Sequence, residues 1–176
     1  IAKKCLLKKL NQNNIKKDLK KTGHKLMPII SELSRVCSKD SKKYVHWGGT
    51  TQNIVSTGDL LILKKIHKIF LKDLSEILDI LGSLSLKNKS VLMVGRTHGQ
   101  HALPITFGFK VASWIDEISR HIERILESEN RVFRCIFGGA TGTAASFGKY
   151  GMKLQDELAK KLELKSSKVP SRSHMD

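Results

Sequence analysis

Apolar positions along this chain recur mostly at steps of three and four, the spacing of one face of an α-helix. The clearest run is Leu60, Leu63, Ile66, Phe70, Leu74, Ile77, Leu81 and Leu84. It predicts a helix of roughly 25 residues or more that stops at the LKNKS turn of 86–90. A second run takes in Val111, Trp114 or Ile115, Ile118, Ile122, Ile125 and Leu126 and continues to Val132 and Phe133, with charges on the opposite face. Helices of this length belong to bundles.

Shorter elements flank them. Residues 1 to about 21 place apolar groups at 6, 7, 10, 15 and 19, which predicts a loose helix with a lysine face, closed by a turn at Thr22 and Gly23. Leu26, Ile29, Ile30, Leu33, Val36 and Cys37 form one stripe, a second helix in which Pro28 fits only the first turn. Met152, Leu154, Leu158 and Leu162 mark a last short helix before the polar tail SSKVPSRSHMD. No repeat of fixed period and no strand–helix alternation is present. The pattern is therefore all-α, with long helices joined by loops rich in Gly, Thr and His.

Composition sharpens this reading. With 176 residues, 40% of them hydrophobic and only 6% aromatic, the chain can bury a core and favours helix over strand by propensity. The net charge of +16 surrounds the protein with a field that draws anions. Its lysines, such as Lys3, Lys4, Lys8, Lys9, Lys16, Lys17, Lys20 and Lys21, sit at helix-surface spacing without the interleaved aromatics of single-strand binders. Solvated faces explain them better than a nucleic-acid interface, and a basic nucleic-acid-binding helical module stands as the alternative from another functional class. Cys5, Cys37 and Cys135 are odd in number and lack C-x-x-C spacing, which indicates neither a disulfide framework nor a zinc site and fits a reducing cytosol. No apolar stretch is long and uncharged enough for a transmembrane helix. The start at Ile1 and the stop at Asp176 lead to the expectation of a piece of a longer protein.

Chemistry should lie in the polar loops. "GRTHGQHALPITFG" at 95–108 offers His98 and His101 for proton transfer, with Arg96, Thr97 and Gln100 as anion-binding neighbours. The same histidines could equally be satisfied by backbone at a helix start, and no nearby carboxylate completes a metal site. "HWGGTTQNIVSTG" at 46–58 puts Thr50 and Thr51 where they would cap the first long helix, and where its free N–H groups attract a carboxylate or phosphate. "GGATGTAASFGKYG" at 138–151 is not a phosphate-binding Walker loop, because five residues separate Gly142 from Gly148 and Tyr150 follows Lys149. It reads as a flexible, close-packed crossing between helices. Together the loops suggest one site assembled from separate segments.

These three motifs, in this order and with long helices between them, resemble the conserved regions of the fumarase/aspartase superfamily. The resemblance runs from about Gly23 to Leu164 and is nearest to the branch of adenylosuccinate lyase and 3-carboxy-cis,cis-muconate cycloisomerase. It implies an all-α subunit whose long helices form the central bundle of a homotetramer, with active sites shared between subunits. The implied chemistry is elimination next to a carboxylate on a small anionic dicarboxylate-type substrate, in the cytoplasm and without a cofactor or metal. For adenylosuccinate the setting is purine biosynthesis. A base takes the Cβ proton, an aci-carboxylate forms, and an acid protonates the leaving group.

Carried over by position, His98 resembles the catalytic general acid, and Thr97 and Gln100 its substrate-binding neighbours. Thr50 and Thr51 match the pair that holds the substrate carboxylate, and His46 and His24 resemble further active-site histidines of adenylosuccinate lyases. The presence of His98 leans towards the lyase, whereas "HWG" and "GHKLMPII" read more like the cycloisomerase. By the same resemblance, 1–45 is the C-terminal part of an N-terminal helical domain and 46–176 the first part of the bundle domain.

Departures are visible too. Asn53 stands where the family usually has Asp, Ser56 where it often has an acid, and Met175 precedes Asp176 where an arginine is usual. The S-S-x-M-P-x-K-x-N loop that supplies the serine base does not occur in this sequence, so the segment by itself is expected to be inactive.

Overall fold

A computed structural model of the chain describes residues 1–171; the Met175–Asp176 departure lies outside them. Helices dominate: α1 (Gln12–Thr22), α2 (Met27–Val36), α3 (Lys39–Lys42), α4 (Thr51–Lys87), α5 (Phe107–Val132) and α6 (Gly151–Lys161). Strands β1 (Leu92–Thr97) and β2 (Gln100–Thr106) pair antiparallel, and the two-residue strands β3 (Arg134–Cys135) and β4 (Lys165–Ser166) pair parallel. Contacts divide the chain into two compact units, Ile1–Leu61 with the segment from Arg134 onward, and Ile62–Phe133.

In the first unit the expected opening helix is shorter than its apolar spacing suggested. Two 3-10 turns, Ala2–Lys4 and Leu7–Lys9, precede α1. Helix begins only at Asn11, whose Oδ1 accepts from the Asn13 N–H at 2.9 Å and the Asn14 N–H at 3.3 Å, while the paired lysines upstream repel one another. It ends at Gly23, which takes the left-handed conformation at φ 63°. Helix α2 keeps Pro28 in its first turn, where the missing N–H costs nothing. Buried Leu26, Cys135, Phe137, Ala144, Ala159 and Leu164 form the apolar core here. Within it Gln155, fully buried, accepts from the Phe137 N–H at 3.0 Å and donates to the Ser167 carbonyl at 2.9 Å.

The second unit is an antiparallel pair made by the rest of α4 and α5. Ser85 near the end of α4 meets Gly108 at the start of α5, and the His67 ring lies edge-on to Phe133, 5.1 Å between centroids. Both long helices stand where the three-and-four spacing put them. Val111 is fully buried, yet Ile62, Ile66, Ile69, Phe70, Ile77 and Ile80 remain exposed, an apolar ridge too large for a solvated surface. Among the described residues no helix is long and apolar enough to cross a membrane.

One expectation is corrected. The histidine segment between the long helices is neither an irregular loop nor a helix start but a β-hairpin. Gly95, Gly99 and Pro104 exclude helix, and Thr97 pairs with Gln100, leaving His98 and Gly99 as a two-residue turn. Both have positive φ, 49° and 75°, as the hairpin turn that matches strand twist requires. Thr106 then caps α5 by accepting from the Phe109 N–H at 3.1 Å.

Candidate functional site

In the first unit two of the three motifs are locked together. Thr50 precedes α4 and its carbonyl accepts the Ile54 N–H at 3.4 Å, the mark of an N-cap residue. Asn53, one turn in and only 2% exposed, turns its Oδ1 to the Thr50 N–H at 3.4 Å and to the Gly139 N–H at 3.0 Å. Its Nδ2 donates to the Ser171 carbonyl at 3.1 Å. The helix start of the first motif is thereby tied to the glycine-rich loop of the third.

Close packing completes the joint. Gly48 has φ 68°, and a Cβ on it would lie 2.3 Å from the Phe147 ring. A Cβ on Gly139 would lie 2.8 Å from the Gly48 carbonyl. Phe147 in turn stacks at a tilt on Phe137 and Trp47, with centroids 5.7 and 6.2 Å away. The expectation of a close-packed glycine loop thus holds, and the aromatic side chains fill the space that the glycines leave.

Thr50 and Thr51 are half-buried at the start of a helix of 37 residues, where hydroxyls and unpaired N–H groups can take a carboxylate. His46, also half-buried, has φ 62°. Burial lowers its pKa below the ordinary 6.5, which favours the neutral imidazole. His24 is exposed and caps α2: its Nδ1 accepts from the Leu26 N–H at 3.1 Å and the Met27 N–H at 3.2 Å. That fixes Nδ1 as an acceptor and puts any proton on Nε2.

In the second unit His98 occupies the exposed tip of the hairpin, with Thr97 and Gln100 paired at its base and Arg96 opposite His101. The register slips between Val94 and Arg96. At this bulge a Cβ on Gly95 would stand 2.6 Å from the Leu103 carbonyl, so glycine is required there. The predicted residues accordingly fall into two groups: His24, His46, Thr50 and Thr51 in one unit, and Thr97, His98 and Gln100 in the other.

Each motif holds one non-glycine residue at positive φ, namely His46, His98 and Ala144; Glu163 is the other among the described residues. Such conformations persist where the surroundings over-determine them, and they collect at functional sites. Asn53 is the residue that sequence reasoning undervalued, registering it only as a missing charge. The T-x-x-N spacing at 50–53 carried the signal, as a variant of the capping box. Among the described residues no group of three or more His, Cys, Asp or Glu side chains could hold a metal.

Comparison with known proteins agrees with these motifs. A family profile described as a lyase matches residues 6–176. The N-acetyl-S-(2-succino)cysteine lyase of Enterococcus italicus is 42% identical over 153 residues, covering 87% of this chain and 33% of the relative. Adenylosuccinate lyase of Pyrococcus abyssi is 42% identical over 146 residues, covering 83% and 32%. Among solved structures, the 3-carboxy-cis,cis-muconate lactonizing enzyme from Pseudomonas putida superposes with a TM-score of 0.85 at 30% identity, over 94% of this chain and 38% of that one. The chain spans about a third of the length of these curated relatives.

Proposed function

The chain belongs to the fumarase/aspartase superfamily of lyases, and from that membership we propose that the complete protein cleaves a succinyl adduct by elimination and releases fumarate, in the manner of adenylosuccinate lyase. The observation that carries this reading is the equal identity, 42%, to two lyases whose names share the succinyl group while the rest of the substrate differs. The part common to both is a small dicarboxylate, which suits a positive field and a carboxylate seat at a helix start.

The roles follow from the chemistry. Thr50 and Thr51, with the first N–H groups of α4, receive a substrate carboxylate and stabilise the charge that grows on it once the Cβ proton leaves. Thr97 and Gln100 bind substrate beside the hairpin tip, His46 and His24 act as further substrate-binding groups, and His98 gives its proton to the departing atom as the bond to carbon breaks. The base that takes the Cβ proton is supplied by a segment outside this sequence. We place 1–45 in an N-terminal helical domain and 46–176 in a central bundle. We place the protein in the cytoplasm, and the exposed ridge of α4 supports its assembly into a homotetramer with shared sites.

A second reading, cycloisomerisation of a carboxymuconate, is favoured by the superposition on the lactonizing enzyme. The two separate in one experiment: the complete protein is assayed with adenylosuccinate, N-acetyl-S-(2-succino)cysteine and 3-carboxy-cis,cis-muconate, beside a His98→Ala control. Fumarate release from a succinyl adduct, lost in the control, supports the lyase. Turnover of the muconate alone establishes the second reading, and no fumarate above the control from either adduct refutes the first.

A further inference from the structure

We propose that Asn53 is a positioning residue that holds the Thr50–Thr51 pair and the glycine-rich loop in one frame, a role that rests on the elimination reading above. Asn53 is nearly inaccessible, at 2% exposure, and its carboxamide joins three backbone stretches remote in sequence. Oδ1 accepts from Thr50 and Gly139, and Nδ2 donates to Ser171. In a capping box the third helical residue reaches back to the N-cap N–H. Here that oxygen is shared with a second donor 86 residues away, so the cap and the loop are set by one group.

The two ends of the side chain are not interchangeable. Donors converge on the oxygen and a carbonyl faces the nitrogen, so an amide satisfies all of them while a carboxylate has no N–H to offer Ser171. An amide rather than a carboxylate therefore suits position 53. Elsewhere the joint is held by packing: the Phe147 ring lies against Gly48, and Gly139 approaches the Gly48 carbonyl. Released from Asn53, the loop and the start of α4 would shift relative to each other, and the Thr50 and Thr51 hydroxyls would move off the substrate carboxylate.

The test is a mutant cycle in the complete protein. Asn53→Ala and Asn53→Asp are made alone and in a Thr50→Ala/Thr51→Ala background, and kcat/KM is measured for whichever succinyl adduct the wild type cleaves. Alone, each is expected to lower kcat/KM by roughly ten- to a hundred-fold; in the double-alanine background the same change should cost no more than about twofold. Equal losses in both backgrounds would show that Asn53 acts only on general stability and overturn the proposal. Asn53→Asp keeps the side chain's size, so the cycle can be read on it should the alanine variant not fold. Amide hydrogen exchange at Thr50 and Gly139 gives an independent readout. Acceleration in Asn53→Ala, with the middle of α4 unchanged, is required, and unchanged exchange refutes the frame even if the wild type cleaves no succinyl adduct and the elimination reading falls.

Discussion

Ser85 and Gly108 meet through side chain and backbone together: the Ser85 hydroxyl donates to the Gly108 carbonyl at 2.8 Å, and the Ser85 carbonyl stands 2.5 Å from where a Cβ on Gly108 would lie. The same Cβ would be 2.8 Å from Lys89 Cα. Backbone cannot rotate aside as a side chain can, so Gly108→Ala must push the end of α4 from the start of α5. A loss of about 2 kcal/mol is expected, typical of overpacking. Gly82, also in α4, has nothing within 4 Å of its Cβ position. Gly82→Ala should therefore stabilise by about 0.5–1 kcal/mol through helix propensity. Urea midpoints of the complete protein should move in opposite directions for the two variants; an unchanged or raised midpoint for Gly108→Ala would contradict the close approach at Gly108.

At the hairpin tip, conformation and chemistry can be separated by choice of substitution. His98 sits at φ 49°, a region that asparagine tolerates better than other non-glycine residues. His98→Asn should keep the turn and the melting temperature while removing the acid. His98→Ala should lose the acid and strain the turn as well. Both are expected to lower kcat by about 10²–10⁴, with only the alanine variant losing stability. If His98→Asn kept more than a tenth of wild-type kcat, the proton donor would have to be another group.

The sequence made α4 and α5 legible because Leu60 to Leu84 and Val111 to Leu126 repeat at helical spacing, and packing on one face needs nothing else. The hairpin between them was hidden. Its apolar residues do not alternate inward and outward: Leu92 and Leu103 are 77% and 81% exposed, and the bulge at Gly95 shifts the register midway. Only the His-Gly pair between runs containing Val94, Thr97 and Ile105 hinted at it. The opening residues failed as a helix for a local reason, since Asn11 caps forward and leaves the lysine pairs behind it. As for the site, family motifs named Thr50, Thr51 and His98, but no pattern in one sequence could show that Asn53 reaches Gly139. That contact arises from the folding of the Gly48 and Gly139 loops onto each other.

His46 makes the stability of its unit acid-sensitive. Burial holds its pKa below the ordinary 6.5, so the unfolded chain binds a proton more readily than the folded one. The neutral form's contribution is fully present above about pH 6.5 and is lost as pH falls towards the folded value. His46→Asn tolerates the same φ of 62° and cannot titrate. Its melting temperature should therefore fall less than that of the wild type between pH 7.5 and 5. Parallel curves would mean that the imidazole is not held neutral by its surroundings.

Glu32 acts in the opposite chemical sense and over a lower pH range. It is 2% exposed on α2 and draws α1 towards it by accepting from the Asn11 N–H at 3.0 Å and Asn14 Nδ2 at 3.1 Å. Arg35 donates to it at 2.9 Å and pairs with Asp18 of α1 at 2.7 Å. The Arg35 hydrogen bond, then the Asn11 N–H, hold the carboxyl below its ordinary 4.5 against the opposing effect of burial. A depressed carboxyl stabilises the fold above its unfolded value and loses that contribution as pH falls through the folded one. Glu32→Gln preserves volume, yet replaces one accepting oxygen by a donor that must face Asn11, Asn14 or Arg35. A cost of about 2 kcal/mol at pH 7 is expected from charge-assisted bonds of this kind. Below about pH 4.5 the unfolded wild-type chain takes up a proton before the folded one does, so the gap in melting temperature between the two proteins should narrow as pH falls. A gap that stays constant from pH 7 to pH 3.5 would show that the carboxylate's charge contributes nothing to joining α1 and α2.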